Sequence, residues 1–365
     1  MINLIKIKAL NSAKKIAENC IGCNLCKKNC PMMSHHQVEP KVLFKQLVET
    51  GEVERELIYS CTGCDYCSQV CPKDLDIKAF CYDIKKQCVA EEKVYNKQGQ
   101  FAVTNFHKAS THSFFTYLDH NVKIGEIDTV FLPGCSLVSS NPSVVQKIIK
   151  KMNKVEPVGL LIDCCGNPIY GLGDEKRFKD NVDRLMKLFN RYGIKRVVTA
   201  CGNCYKTFSA FYDVEIIDLW QYIDQHSDVF IRKKKIEKEV ASYILHDPCS
   251  YRESSSTHQA IRSVFSKMGV SVKEFDQSKE LVPCCGAGGM MALMNPPLAQ
   301  KVQKRRVEDA GTFKIVSYCQ SCVDGFSQHG NDGTHILALI FDTEQESSRM
   351  TTPRRWMNRR LARKK

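Results

Sequence analysis

Short apolar, β-branched runs recur along the chain from residue 130 onward, and each one leads into cysteine. Val130-Phe131-Leu132 precedes Cys135, Leu161-Ile162 precedes Cys164-Cys165, and Val197-Val198-Thr199 precedes Cys201. Ile244-Leu245-His246 then precedes Cys249, Leu281-Val282 precedes Cys284-Cys285, and Ile315-Val316-Ser317 precedes Cys319. Runs of this length and composition predict strands. Helical patterns lie between them, at Val145 to Met152, Arg177 to Arg191 and Gln259 to Met268. Strands alternating with helices predict small parallel α/β units, and the first three runs repeat as the last three. The cysteines then fall at the carboxyl ends of strands, where open α/β sheets bind ligands.

The pattern before residue 96 is different. Val42 to Val48 reads as a short amphipathic helix ending near Gly51. It lies between two copies of one cysteine run. These are Cys20-x-x-Cys23-x-x-Cys26-x-x-x-Cys30-Pro31 and Cys61-x-x-Cys64-x-x-Cys67-x-x-x-Cys71-Pro72. This spacing holds pairs of [4Fe–4S] cubanes: three thiolates wrap one cluster, and the fourth reaches over to the other. The expected sets are Cys20, Cys23, Cys26 and Cys71 for one cubane, and Cys61, Cys64, Cys67 and Cys30 for the second. Two zinc ions could use eight cysteines, but zinc does not call for three x-x intervals plus Cys-Pro, twice. The long gap between the runs suggests the helical kind of two-cluster domain. The chemistry implied is one-electron transfer.

Composition narrows this further. Twenty cysteines in 365 residues, grouped in x-x and adjacent pairs, argue for metal rather than a disulfide framework. Lysines interrupt the N-terminus before any signal-like apolar stretch, and no window is apolar enough to span a bilayer. A reducing, cytoplasmic setting is expected. The net charge is +13, but eight positives fall in the last seventeen residues: Arg349, Arg354, Arg355, Arg359, Arg360, Arg363, Lys364 and Lys365. Thiolate-bound cubanes, each about −2, bring the remainder near neutral. The basicity therefore belongs to a tail, and no nucleic-acid motif accompanies it. With Trp356, Met357 and Leu361, that tail reads either as an amphipathic helix for a membrane surface or acidic partner, or as a solvated end.

Each repeat offers five cysteines. Cys135, Cys164, Cys165, Cys201 and Cys204 are a candidate cofactor-binding set. Cys249, Cys284, Cys285, Cys319 and Cys322 are a candidate catalytic set. Five thiolates exceed what one tetrahedral metal or one cubane requires. The pattern C-x(n)-C-C-G-x(n)-C-x-x-C resembles the cysteine-rich CCG domain. A two-cluster domain followed by two such repeats is similar to the catalytic iron–sulfur subunit of heterodisulfide reductase, and equally to the iron–sulfur subunits of glycolate oxidase and anaerobic glycerol-3-phosphate dehydrogenase. The resemblance implies that the five-cysteine sets hold non-cubane [4Fe–4S] clusters. One departure is spacing: 28 residues separate Cys135 from Cys164, against 34 between Cys249 and Cys284.

The expected architecture is α/β overall. A helical two-[4Fe–4S] ferredoxin-like domain occupies residues 1–95 and a connector 96–126. Repeated small α/β CCG domains follow at 127–229 and 240–342, then a basic tail at 343–365. No nucleotide or flavin motif appears, so a flavin-containing dehydrogenase is the expected partner. The chain would pass electrons between that partner and an acceptor such as a quinone. The alternative is a disulfide reductase acting at the second CCG site. The expected place is cytoplasmic, with a possible peripheral position at the inner face of the membrane.

Other residues read more plainly. Cys81 and Cys88 share a helix face as buried thiols. His35 and His36 suit a polar loop. His246 suits a structural hydrogen bond or a proton donor. Gly286-Ala287-Gly288-Gly289 lacks a P-loop lysine and reads as close backbone packing on a cluster. Lys233-Lys234-Lys235 reads as a solvated link.

Overall fold

The computed structural model describes residues 3–231, 242–343 and 351–363. The Lys233-Lys234-Lys235 run lies outside the described residues, as do Arg349, Lys364 and Lys365.

The N-terminal part is helical, as expected. Its two short strands, β1 (Leu4–Lys6) and β2 (Glu52–Glu54), pair antiparallel across the helices between them. The helix expected at 42–48 spans Pro40–Thr50. Pro40 supplies its first turn, Leu43, Phe44 and Leu47 are its buried face, and Gly51 ends it in a left-handed conformation. The long helix Ile77–Ala90 starts at Asp76, whose carboxylate accepts from the Ala79 N–H.

Two sheets follow. The first contains β3 (Tyr117–Leu118), β4 (Thr129–Leu132), β5 (Gly159–Ile162), β6 (Arg196–Thr199) and β7 (Glu215–Asp218), in the order β3-β5-β4-β6-β7. All pairings are parallel except that of β3. The second contains β8 (Tyr243–His246), β9 (Val272–Glu274), β10 (Lys314–Ser317) and β11 (Thr334–His335), in the order β9-β8-β10-β11, all parallel. Both sheets therefore have one winding: the first strand sits between the second and third, and the fourth lies outside the third. A shared local device marks the repeat. Thr199 Oγ1 donates to the Leu132 carbonyl at 2.8 Å, and Ser317 Oγ donates to the His246 carbonyl at 2.9 Å.

The repeats are not separate beads. One apolar core runs from Phe131, Leu160 and Trp220 of the first into Leu245, Tyr251 and Tyr318 of the second. Asp218 at the end of β7 accepts from Tyr251 Oη at 3.1 Å and from Thr257 Oγ1 at 2.5 Å across the junction.

Three expectations change. Leu281-Val282 is not a strand: residues Lys279–Leu281 form a short 3-10 turn, and the sheet strand comes earlier as β9. In the first repeat β5 runs almost directly into Cys164. In the second, residues 275–283 intervene between β9 and Cys284, which explains the longer spacing. Residues 96–126 are not a mere connector. Helix Lys97–Thr111 is capped by Asn96 and packs on Leu293 and Met294, and β3 edges the first sheet. The basic tail is a docked helix, Thr352–Leu361. Trp356 packs against Phe106 and Phe115, Asn358 donates to the Ser139 carbonyl at 2.7 Å, and Arg355 pairs with Asp324 at 2.9 Å. Arg359 on this helix is fully buried. Met357 and Leu361 remain exposed.

Candidate functional site

The two N-terminal cysteine runs fold into matching loops. Gly22 and Gly63 adopt left-handed backbone at equivalent positions, as do Asn24 and Asp65 two residues later. Glycine and Asn/Asp are the residues that tolerate this conformation. The turns curl each loop around its own sulfurs. The sequence carries this signal as Cys-x-Gly-Cys-Asn/Asp in both runs.

The loops bring together the expected fours. Cys20, Cys23, Cys26 and Cys71 line one hollow with Ile16, Ile21, Leu75 and Ile77, and Cys67 also reaches its edge. Cys30, Cys61, Cys64 and Cys67 line a second with Met32, Met33 and Tyr66. Burial first, then repulsion from Cys20, Cys71 and Cys23, pushes the Cys26 thiol up to about 11. Burial and the neighbouring Cys64 raise Cys30 as well. Four thiols crowded into an apolar hollow resist ionisation unless a cationic centre sits among them. The donor set and its dry walls therefore fit a thiolate-bound cluster in each hollow.

Cys81 is a buried thiol, but not an idle one. It donates a hydrogen bond to Cys61, which, with the Lys85 ammonium nearby, holds Cys61 down to about 6. Lys85 itself donates to the Cys61 carbonyl at 2.8 Å. Cys88 is buried without such a role. His36 Nε2 lies 3.1 Å from Ser60 Oγ, and His35, His36 and Glu56 form a partly exposed group that could hold a metal.

Each repeat gathers its five cysteines at the carboxyl ends of its strands. In the first, Cys164 hydrogen-bonds to Cys135, and Cys204 to Cys165 and Cys201. The adjacent pair is clamped by the backbone: Asn181 Nδ2 donates to the Cys164 carbonyl at 3.0 Å, and Tyr212 Oη to the Cys165 carbonyl at 2.9 Å. Asp163 accepts from the Cys164 N–H at 2.7 Å and pairs in fork geometry with Arg184 at 2.6 and 3.0 Å. The hydrogen bond from Cys164 and the Arg359 guanidinium pull Cys135 down to about 6.

In the second repeat, Cys285 and Cys322 bring their sulfurs within 3.0 Å. Cys319 acts on Cys322, and the Cys284 thiol donates toward Cys249. His246 lies within 4.8 Å of the Cys285 and Cys322 sulfurs. Burial and the Arg306 guanidinium hold this imidazole far below its usual range, so it is neutral. Arg306 Nε donates to Nδ1 at 3.3 Å, which assigns the ring proton to Nε2, and Nε2 has no oxygen or nitrogen partner. Of the two roles expected of His246, the geometry shows the structural hydrogen bond, accepted at Nδ1 from Arg306, and leaves Nε2–H unpartnered beside the sulfurs. The matching position in the first repeat is Leu132.

The second site touches the N-terminal loops. The Cys64 thiol donates toward Cys284. Fully buried Arg252 ties the junction, donating to the carbonyls of Cys64 at 2.9 Å and Val282 at 2.6 Å, and to that of Glu280. The loop at 275–283 is what reaches this junction. Gly288 and Gly289 lie against the Thr62 backbone, so the glycine-rich stretch packs on a cysteine-bearing loop rather than on a phosphate. Cys284 also borders a cavity of about 350 Å³ between the N-terminal loops and helix Pro296–Asp309. Asn29, Ser34, His35, Lys301, Arg305 and Arg306 stand around it.

The comparisons with known proteins agree with this arrangement. The family model for a 4Fe-4S dicluster domain matches residues 19–76. That for a cysteine-rich domain matches residues 129–209 and again 243–326. The chain belongs to the CCG-domain iron–sulfur oxidoreductase family. It is 24% identical over 335 residues to an uncharacterized iron-sulfur protein of Methanocaldococcus jannaschii, covering 84% of this chain and 67% of that one. It is 26% identical over 248 residues to a subunit of the dihydromethanophenazine:CoB–CoM heterodisulfide reductase of Methanosarcina barkeri, covering 61% and 59%. It is 24% identical over 218 residues to the EtfAB:quinone oxidoreductase of Syntrophomonas wolfei, covering 54% and 30%. The chain thus spans from about a third to two thirds of the length of these CCG-family relatives. Among the described residues, no helix is long and apolar enough to cross a membrane.

Proposed function

We propose that this chain is the iron–sulfur electron-transfer subunit of an oxidoreductase, working between a flavoprotein dehydrogenase and an acceptor. The observation that carries the reading is the junction where Arg252 bonds the carbonyls of Cys64 and Val282 and Gly288 and Gly289 meet the Thr62 backbone, which sets the second N-terminal thiol set against the second CCG set. Cys20, Cys23, Cys26 and Cys71 would hold one [4Fe–4S] cubane, and Cys30, Cys61, Cys64 and Cys67 the other. The five-cysteine sets would hold non-cubane clusters. Bound in these sites, such clusters supply one-electron transfer. The chain's part is to keep the thiols in apolar hollows and to fix the spacing between sites. An acceptor of the quinone kind accords with the name of the Syntrophomonas relative.

The test is anaerobic purification with the neighbouring proteins of the cell present. Iron and acid-labile sulfide, together with a co-purifying flavoprotein, are the expected result. Zinc without iron would end the cluster reading, and a partner carrying no flavin would count heavily against the flavoprotein.

A second reading, a disulfide reductase, is favoured by the cavity beside Cys284 and by the Methanosarcina relative. Reducing a disulfide takes two electrons and two protons and yields two thiols. The cationic rim at Lys301 and Arg305 suits an anionic substrate, and His246 Nε2–H can donate to sulfur. Adding a disulfide should change the spectra of the wild type and not those of Cys285→Ser. Identical responses in both proteins would sink this reading.

A peripheral place on a membrane rests only on Met357 and Leu361, exposed beside Arg354 and Arg360. Co-sedimentation with anionic vesicles that survives deletion of residues 351–365 would remove it.

A further inference from the structure

Arg359 has no exposed surface, yet no carboxylate pairs with it among the described residues. Its neighbour Arg355 takes Asp324 instead. Arg359 donates to two backbone carbonyls, Ser110 at 3.2 Å and Phe115 at 3.5 Å, and its Nη1 finds no hydrogen-bond partner. The guanidinium also lies over the Trp356 ring, 5.5 Å from its centroid, and it acts on the Cys135 thiol. A buried cation without an anion is strongly unfavourable, so the folded chain should contain a negative centre beside it.

The helix is held so that this side chain must point inward. Trp356 packs on Phe106 and Phe115, Asn358 bonds the Ser139 carbonyl, and Arg363 Nη2 donates to the Phe114 carbonyl at 2.6 Å. Ser139 lies on the same short helix, Cys135–Ser140, that begins with the cysteine. The second repeat has a different neighbourhood: its cysteines face the neutral His246 ring.

We propose that Arg359 is the counter-charge of the first CCG site. The C-terminal helix closes that site and brings the cation that balances an anionic centre held by Cys135, Cys164, Cys165, Cys201 and Cys204. This rests on reading those five cysteines as ligands of one cluster. Arg359 is a positioning and electrostatic residue, not a ligand. A fixed cation beside a cluster favours its reduced, more negative form, so removing it lowers the midpoint potential.

The test uses the full chain, prepared anaerobically, with Cys322→Ser to disable the second site. Iron beyond the two cubanes then reports on the first site alone. Arg359→Met should lose one cluster's worth of iron, about four atoms per chain, or keep it with a lowered first-site midpoint in an EPR-monitored titration. Arg359→Lys should restore both readouts, with the cubane signals unchanged throughout. If Arg359→Met disturbs the cubane signals, the lysine variant decides. With cubanes intact, its keeping the first-site signal supports the proposal, and its losing that signal overturns it. Full iron and an unmoved midpoint in Arg359→Met overturn it. So does an equal loss in Arg355→Ala, which loosens the helix without touching the cysteines. If the parent carries no iron beyond the cubanes, the cluster reading of the first site fails first and the proposal falls with it.

Discussion

Cys81 shows how much a single thiol can matter without being a ligand. It lies outside both cysteine runs, yet its S–H bonds to Cys61, one of the second four. A hydrogen bond to a ligand sulfur draws electron density from the cluster and raises its potential. Cys81→Ala should therefore leave the iron content unchanged and lower one cubane midpoint. The expected drop is about 20–60 mV, from roughly 0.5–1.5 kcal/mol for the bond at about 59 mV per tenfold. Lost iron would instead mark Cys81 as a ligand. The cysteine sets themselves were legible because spacing alone dictates which sulfurs can meet. Arg359 was not, because an arginine in a basic tail looks like its solvated neighbours until the fold buries it.

At the scale of elements, the loops after the strands decide the contacts. The sequence placed cysteines after strands correctly for five of the six runs, because β-branched runs before them leave little choice. It misplaced one strand, since Leu281-Val282 is apolar but is used to face the N-terminal loops through the Val282 carbonyl and Arg252. An apolar pair cannot announce whether it will enter a sheet or an interface. The glycine-rich stretch just beyond is where that interface is closest. Gly289 has φ of +58°, and a Cβ there would stand 2.8 Å from Thr62 backbone atoms. Gly289→Ala should therefore push the cysteine-bearing loop away from the second site. We expect slower electron transfer between the second cubane site and the second CCG site, with iron content retained, measured by rapid-freeze EPR after reduction. An unchanged rate would show that this contact does not set their separation.

Across the whole molecule, Asp218 links the two repeats and brings a pH dependence. Burial raises its carboxyl to about 6, against hydrogen bonds from Thr257 Oγ1 and the Trp220 N–H. A carboxyl raised in the folded state contributes stability that is complete below its unfolded value, near 3.8, and is lost as pH rises to about 6. The loss amounts to roughly 2–3 kcal/mol. Asp218→Asn, which resembles the protonated form, should gain stability relative to wild type from about pH 4 to 6, with the gap level above that. Thermal unfolding of the two anaerobic proteins at matched pH checks this, and a constant gap would count against it. The two-sheet plan was legible because the repeat announces itself in six cysteine-ended runs. The shared core, the docked tail and this carboxylate were not, because each depends on residues far apart in the chain meeting only after both sheets have formed.

The closeness of the sulfurs also governs what happens when the protein meets oxygen. A chain stripped of iron would leave Cys285 and Cys322 at 3.0 Å, with Cys61 against Cys81 and Cys64 against Cys284. Little movement separates such pairs from a bond of about 2.05 Å. Oxidative damage should therefore end in internal disulfides rather than scattered sulfonic acids, and the last of these pairs would staple the N-terminal domain to the second repeat. Repair then has a fixed order, because a dithiol reductant must open these bonds before iron and sulfide can return. Mass spectrometry of air-exposed protein under non-reducing conditions should find those cross-links, and reconstitution without prior reduction should fail.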